Sequence, residues 1–127
     1  MRVFIDSDIL IWHLRGEKKA TNLLMRLRKQ PDCELWTGAM QRAEIQFFMR
    51  KHEEEKTLLF LSLFHTAPVD AELVDLASVI YRRWSPSHGM DVNDALLAAS
   101  AMKYNGQIIC LNKKHYPMQD IVVKKGW

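Results

Sequence analysis

The chain has 127 residues, enough for one domain with a core of its own. Hydrophobic residues make up 48% and charged residues 26%, as in ordinary globular proteins, and no apolar run approaches the roughly 18–20 residues of a membrane span. The formal charge is +3 with 15 acids, so withdrawing several acids into one cleft leaves the remaining surface more basic than the total, which suits a nucleic-acid partner. Cys33 and Cys110 lie far apart in apolar stretches and form neither a disulfide framework nor a metal spacing. With no signal-peptide layout at the N-terminus, they point to a cytoplasmic protein with reduced thiols.

Residues 2–5 read as a short strand, apolar on both faces like a central parallel strand. It runs into Asp6-Ser7-Asp8 and then an apolar segment that begins a helix, which puts acids where open α/β sheets bind ligands. Residues 17–29 give an amphipathic helix, with Leu23, Leu24 and Leu27 on one side and Lys18, Lys19, Arg26, Arg28 and Lys29 around it; Gln30-Pro31-Asp32 ends it. A second strand is expected at 34–38, followed by a helix over 39–51 that carries Glu44 among Met40, Ala43, Ile45, Phe47 and Phe48. A third helix over 53–64 starts on three glutamates that suit its dipole, and its Leu58, Leu59, Leu61, Leu63 and Phe64 read as core or an oligomer contact.

Residues 66–69 read as a brief strand or turn, Asp70 as the cap of a helix over 71–83, and 85–89 as a loop. The segment Gly89 to Ala101 is the most informative. Turn-forming Gly, Asp and Asn give way to a run of Ala and Leu, so a helix begins near Val92 with Asp91 and Asp94 at its positive end. Asp91 reads either as the N-cap or as a further ligand in a cluster of acids. Asn105-Gly106 stops this helix, 107–111 is a strongly apolar strand, 112–117 a loop, and 121–123 a last strand before a basic tail, Lys124-Lys125. Strands alternating with helices imply an α/β domain with a parallel sheet covered on both faces.

Asp6 ends the first strand, Glu44 lies in the helix after the second, and Asp94 begins the helix before the fourth. In a doubly wound sheet such positions converge on one edge. Close carboxylates repel unless a cation joins them, and oxygen-only ligands suit Mg²⁺ or Mn²⁺, whereas no Cys/His spacing for zinc is present. Ions held in this way activate water in phosphodiester cleavage. No Ser/His/Asp or Cys/His nucleophile arrangement is evident.

Four segments resemble the PIN domain family, specifically the VapC-type toxin ribonucleases. Val3 to Ile11 matches the opening strand, aspartate and hydroxyl residue; Thr37 through Ala43-Glu44-Ile45 matches the second strand and its Ala-Glu-apolar motif; Asp94 to Ala101 matches the Asp-apolar-Ala-Ala helix; and Cys110-Leu111-Asn112 with Tyr116 matches the closing strand, asparagine and aromatic. The resemblance implies a compact α/β/α domain around a parallel sheet and a Mg²⁺- or Mn²⁺-dependent endoribonuclease acting on RNA. It also implies a homodimer neutralised by a cognate antitoxin protein whose C-terminal segment lies near the active site. Asp6, Glu44 and Asp94 fall on the family's metal-binding acids, Ser7 on the hydroxyl position and Asn112 on the ordering asparagine.

One position departs from the family: His115 stands where a further acid is usual, and a neutral imidazole supplies no negative charge. His115 is either a functional contact or a packing residue, and the site holds one metal more comfortably than two. Asp91 is the residue placed to restore the lost charge. Lys113 and Lys114 are placed to hold RNA phosphates, and Arg42 either faces phosphate or pairs with an acid of the cleft. The rival readings are a PIN-fold binding module that has lost cleavage and, less well supported by the short chain and its Ala-Ala helix, a flavodoxin-like regulatory domain.

Overall fold

A computed structural model describes all 127 residues. Five strands, β1 (Arg2–Ile5), β2 (Glu34–Gly38), β3 (His65–Ala67), β4 (Gln107–Cys110) and β5 (Val123–Lys125), form one sheet in the order β3-β2-β1-β4-β5. Every pairing is parallel, as the alternation of strands and helices predicts. The helices are α1 (Ser7–Leu14), α2 (Lys18–Lys29), α3 (Ala39–Gln46), α4 (Glu54–Leu61), α5 (Ala71–His88) and α6 (Val92–Lys103).

Alternation along the strands divides the interior in two. Val3, Ile5, Leu35 and Ile109 pack against Ile9 and Leu10 of α1, Leu23, Leu24 and Leu27 of α2, Ile45 of α3 and Leu61 of α4. Phe4, Ile108 and Cys110 face the other way, onto Leu73, Ala77 and Ile80 of α5 and the Ala-rich run of α6. Every residue from Asp94 to Ala101 is buried, so α6 is the helix the second layer is built on; its small side chains let it lie close to the sheet. Asn105, at φ 53°, ends that helix in the left-handed region, and a side chain at Gly106 would meet the Phe4 ring at 2.7 Å. The sheet connections run outward from β1 to β3 and then return to the other side of β1. The crevice beyond the carboxyl ends of β1 and β4 is therefore the switch point where open α/β sheets bind ligands.

Several elements differ from the expected boundaries. The helix expected over 39–51 stops at Gln46, because Arg50 is extended and its N–H is taken by Glu53 Oε1 at 2.8 Å, which restarts the chain as a 3-10 turn (Lys51–Glu53) ahead of α4. Phe47 and Phe48 then stand 78% and 83% exposed instead of joining the core, and Leu59 and Leu63 of the next segment are exposed as well. The loop expected at 85–89 is the last turn of α5. Pro86 removes one N–H from that turn without breaking it, Trp84 and His88 pack edge to face across it, and Gly89 closes it at φ 64°. The last strand sits at Val123–Lys125 and not 121–123, because Ile121 is drawn into the core and the two lysines pair with β4.

Both cysteines are free; Cys110 is buried, and burial beside Asp6 and Asp8 pushes its thiol up to about 12, so it is inert as a nucleophile. No helix is long and apolar enough to cross a membrane.

Leu97 is fully buried between α6 and the sheet. Leu97→Ala is expected to lower unfolding stability by about 3 kcal/mol, read as a lower urea midpoint at unchanged m-value.

Candidate active site

Asp6 follows β1 directly. Its N–H continues the β1–β4 ladder to the Ile109 carbonyl at 3.0 Å, and its Oδ1 caps α1 by accepting from Ser7 N at 2.7 Å. Strand pairing and helix start thus fix the carboxylate between two rigid elements. Asp94 is fixed by a reciprocal cap at the start of α6: Asp91 Oδ1 accepts from Asp94 N at 2.7 Å and Asp94 Oδ2 from Asp91 N at 3.2 Å. Asp91 itself is exposed and serves as the N-cap.

The two aspartates meet at Tyr116, whose hydroxyl oxygen lies 2.7 Å from Asp6 Oδ2 and 3.1 Å from Asp94 Oδ1. The phenol has one proton and donates to one carboxylate at a time, so a second proton or a cation is needed to relieve the other contact. Glu44, half-buried on α3, accepts from Ser7 Oγ through Oε2 and from Asn93 Nδ2 through Oε1, each at 3.1 Å. Asn93 is anchored in turn by the buried Gln41, whose amide donates to the Asn93 carbonyl at 3.1 Å. Arginine 42, one of the expected phosphate contacts, turns away toward β3, where it donates to Thr66 Oγ1 at 3.3 Å and makes no ion pair with a cleft acid.

His115 occupies the expected acid position. Its Nδ1 lies 3.3 Å from Asp94 Oδ2, and Asn112 Nδ2 is 3.1 Å from Nε2. Asp94 and Asn112 thus hold the ring by its two nitrogens. Lys113 and Lys114 are exposed on the one-turn 3-10 helix that follows Asn112.

The electrostatics are those of crowded carboxylates. Asp6 is pushed up to about 7, chiefly by burial and then by Asp8, against the pull of its Tyr116 and Ser7 hydrogen bonds. Burial is also the main cause of the upward shifts of Asp8, Glu44 and Asp94, and it holds the Tyr116 phenol well above its ordinary value. No Lys or Arg forms an ion pair with Asp6, Asp8, Glu44, Asp91 or Asp94.

The sequence reading left out two members of this arrangement. Asp8 anchors the end of β4 by accepting from Leu111 N at 3.1 Å, and it raises Asp6; its proximity was visible in the Asp6-Ser7-Asp8 triplet. Asn93 holds Glu44, a contact across 49 residues that no local pattern announces.

The carboxylates of the cleft offer oxygen donors and have no Lys or Arg partner, which fits a hard divalent ion. As they stand, no three His, Cys, Asp or Glu side chains converge tightly enough to enclose one, and oxygens of Asp6 and Glu44 are engaged by Tyr116, Ser7 and Asn93.

The family model described as PIN domain matches residues 3–119. Ribonuclease VapC10 of Mycobacterium tuberculosis is 33% identical over 117 residues, 91% of this chain and 86% of that protein. Ribonuclease VapC19 of the same species is 30% identical over 115 residues, covering 90% and 91%. In the fold, a toxin–antitoxin complex from Klebsiella pneumoniae superimposes with a TM-score of 0.81 at 19% identity, over 98% of both chains. VapBC2 from Rickettsia felis, bound to a DNA fragment from its promoter, gives 0.79 at 19% identity, over 100% and 99%. Extent of match and level of identity together establish that the chain belongs to the PIN domain family.

Proposed function

We propose that this protein is a divalent-metal-dependent endoribonuclease, the toxin member of a toxin–antitoxin pair. The observation that carries the reading is the gathering of Asp6, Asp8, Glu44 and Asp94 at the switch point without a single Lys or Arg partner. It is supported by a chain-long similarity to ribonucleases VapC10 and VapC19.

Asp6, Glu44 and Asp94 would hold Mg²⁺ or Mn²⁺, with Asp91 at its margin. When bound, such an ion supplies Lewis acidity toward a phosphodiester oxygen and acidifies water. The chain itself positions and orients. Ser7 and Asn93 aim Glu44, Tyr116 spaces Asp6 and Asp94, His115 and the Asp91 cap fix the outer oxygen of Asp94, and Asp8 ties the end of β4 to α1. Lys113 and Lys114 stand beside this edge as phosphate contacts.

Two grooves suit the protein partners of such a toxin. A mixed groove of about 510 Å³ beside Glu44, lined by Ile11, Leu14, Ile45 and Phe48 and by Arg15, Arg50 and Glu53, is where an antitoxin segment would lie next to the acids. On the far layer, Val74, Tyr81 and Val92 of α5 and α6 are exposed around an almost wholly apolar groove, a face suited to a second copy in a homodimer.

Purified protein is expected to cleave RNA with Mg²⁺ or Mn²⁺ and not with EDTA, and Asp94→Asn is expected to reduce the rate by about 100-fold or more, as for loss of a preorganised charge in an active site. Absence of cleavage by folded protein that still binds RNA would favour the binding-module reading, for which His115 beside Asp94, in place of a further acid, is the structural argument.

The raised carboxyl of Asp6 also makes stability depend on pH. Its folded value of about 7 lies above the ordinary 3.8, so the folded state binds more protons between the two, and metal-free stability falls as pH rises from about 4 to 7. Asp6→Asn should therefore be more stable than the parent by a few kcal/mol at pH 8 without metal, and nearly equal to it below pH 4. Mg²⁺ should raise the parent's melting temperature at pH 8 more than at pH 5. Thermal scans of the two proteins with and without EDTA read both effects, and a parent that gains stability with rising pH would refute the assignment.

A further inference from the structure

We infer that RNA leaves the acidic cleft along a basic track across the edge of the sheet, over the Lys113–His115 turn and β5 to α2, and that Arg26, Lys124 and Lys125 bind its phosphates. The inference rests on the ribonuclease reading and adds the path of the strand outside the catalytic acids.

Charge is unevenly distributed along this chain. The segments 18–29 and 107–127 hold nine of its 18 Lys and Arg residues but one of its 15 Asp and Glu residues, Asp120. The fold brings these segments together. Arg26 and Leu27 of α2, Gln107 and Ile109 of β4, and Lys124 and Lys125 of β5 line one groove of about 300 Å³, and no carboxylate side chain lines it. β5 lies against the Lys113–His115 turn, whose His115 touches Asp94, so two further exposed lysines stand between the β5 lysines and the acidic cleft. The three ion pairs of the structure are Arg2–Glu34, Lys103–Asp70 and His115–Asp94; none neutralises a cation of the track.

Uncompensated like charges gathered around a groove are an anion-binding surface, and a polyanion satisfies several at once with release of its counterions. Lysines on an edge strand also discourage strand-to-strand association, but that role involves β5 alone and does not account for Arg26 or for the absence of acids along α2. No aromatic side chain lines the groove, so it holds backbone and does not read bases. The ribonuclease reading makes single-stranded RNA, and not duplex DNA, the occupant.

The test is fluorescence anisotropy of RNA binding in EDTA, where cleavage is silent, using a 4-nucleotide and a 16-nucleotide single strand. The triple variant Arg26→Gln/Lys124→Gln/Lys125→Gln is compared with the wild type and with Lys56→Gln/Arg82→Gln/Arg83→Gln, which removes the same charge elsewhere. For the long strand, the groove variant is expected to lose about 100-fold in affinity at 0.1 M salt, with a slope of log K against log salt shallower by about 2. The short strand and the control variant are expected to stay within about threefold, and single Arg26→Gln should flatten the slope by about 0.7. Equal losses in the groove and control variants, an unchanged slope, no RNA binding by the wild type, or a greater loss for duplex DNA than for RNA would overturn the track. Self-association of the groove variant with unchanged RNA binding would overturn it in favour of edge protection. Wild-type cleavage with Mg²⁺ or Mn²⁺ is scored separately, so failure of the nuclease reading is distinct from failure of the track.

Discussion

Placing a carboxylate in the interior at the end of β1 sets the conditions for everything around it. Asp6 is buried nearly as deeply as the outer members of the core, yet it faces Asp8 and Asp94 and pairs with no Lys or Arg. Such a group is tolerable only if donors surround it or a proton or cation joins it. The neighbouring polar residues answer that requirement: the Ser7 amide, the Tyr116 phenol, the reciprocal cap at Asp91 and Asp94, and the Ser7–Glu44–Asn93 chain each supply hydrogen bonds to an otherwise exposed negative charge. No buried side-chain polar atom is left without a partner, so the hydrogen-bond network is complete although the charge is not balanced.

This imbalance separates function from stability. The hydrophobic layers on the two faces of the sheet are conventional, with apolar side chains alternating along the strands and a small-residue helix closing one side. The acidic edge works against them. It is held in place by the ends of β1 and β4 and by the first turns of α1 and α6, elements whose positions the core has already determined. The cleft is therefore preorganised by packing at a distance from it, and its mutual repulsion is the feature on which the proposed role of a divalent ion rests.

How far the sequence revealed this depended on the range of the interaction. Val3 to Ile5, Gln107 to Cys110 and the Asp94–Ala101 helix were readable because burial on both faces writes itself into continuous apolar or small-residue runs. Positions of Asp6, Glu44 and Asp94 at one edge followed from strand order and motif resemblance. Phe47 and Phe48 misled because aromatic residues beside a helical pattern look like core until the backbone turns at Arg50 and leaves them outside. Pro86 misled in the other direction, since a proline in the final turn costs only one hydrogen bond. Asn93, Gln41 and the direction of Arg42 lay beyond reach, because each depends on a partner 24 to 52 residues away.

The link between Tyr116 and Asp6 joins residues 110 positions apart and carries a consequence for biosynthesis. A ribosome delivers Asp6 well before the phenol, and β4, which orders the first strand's far side, also follows late. Until then the first aspartate has neither its phenol nor its second sheet neighbour, and the edge that would attack RNA does not exist. The acidic edge is therefore assembled only after the chain has been made from the first strand through Tyr116, although its first carboxylate is among the earliest residues.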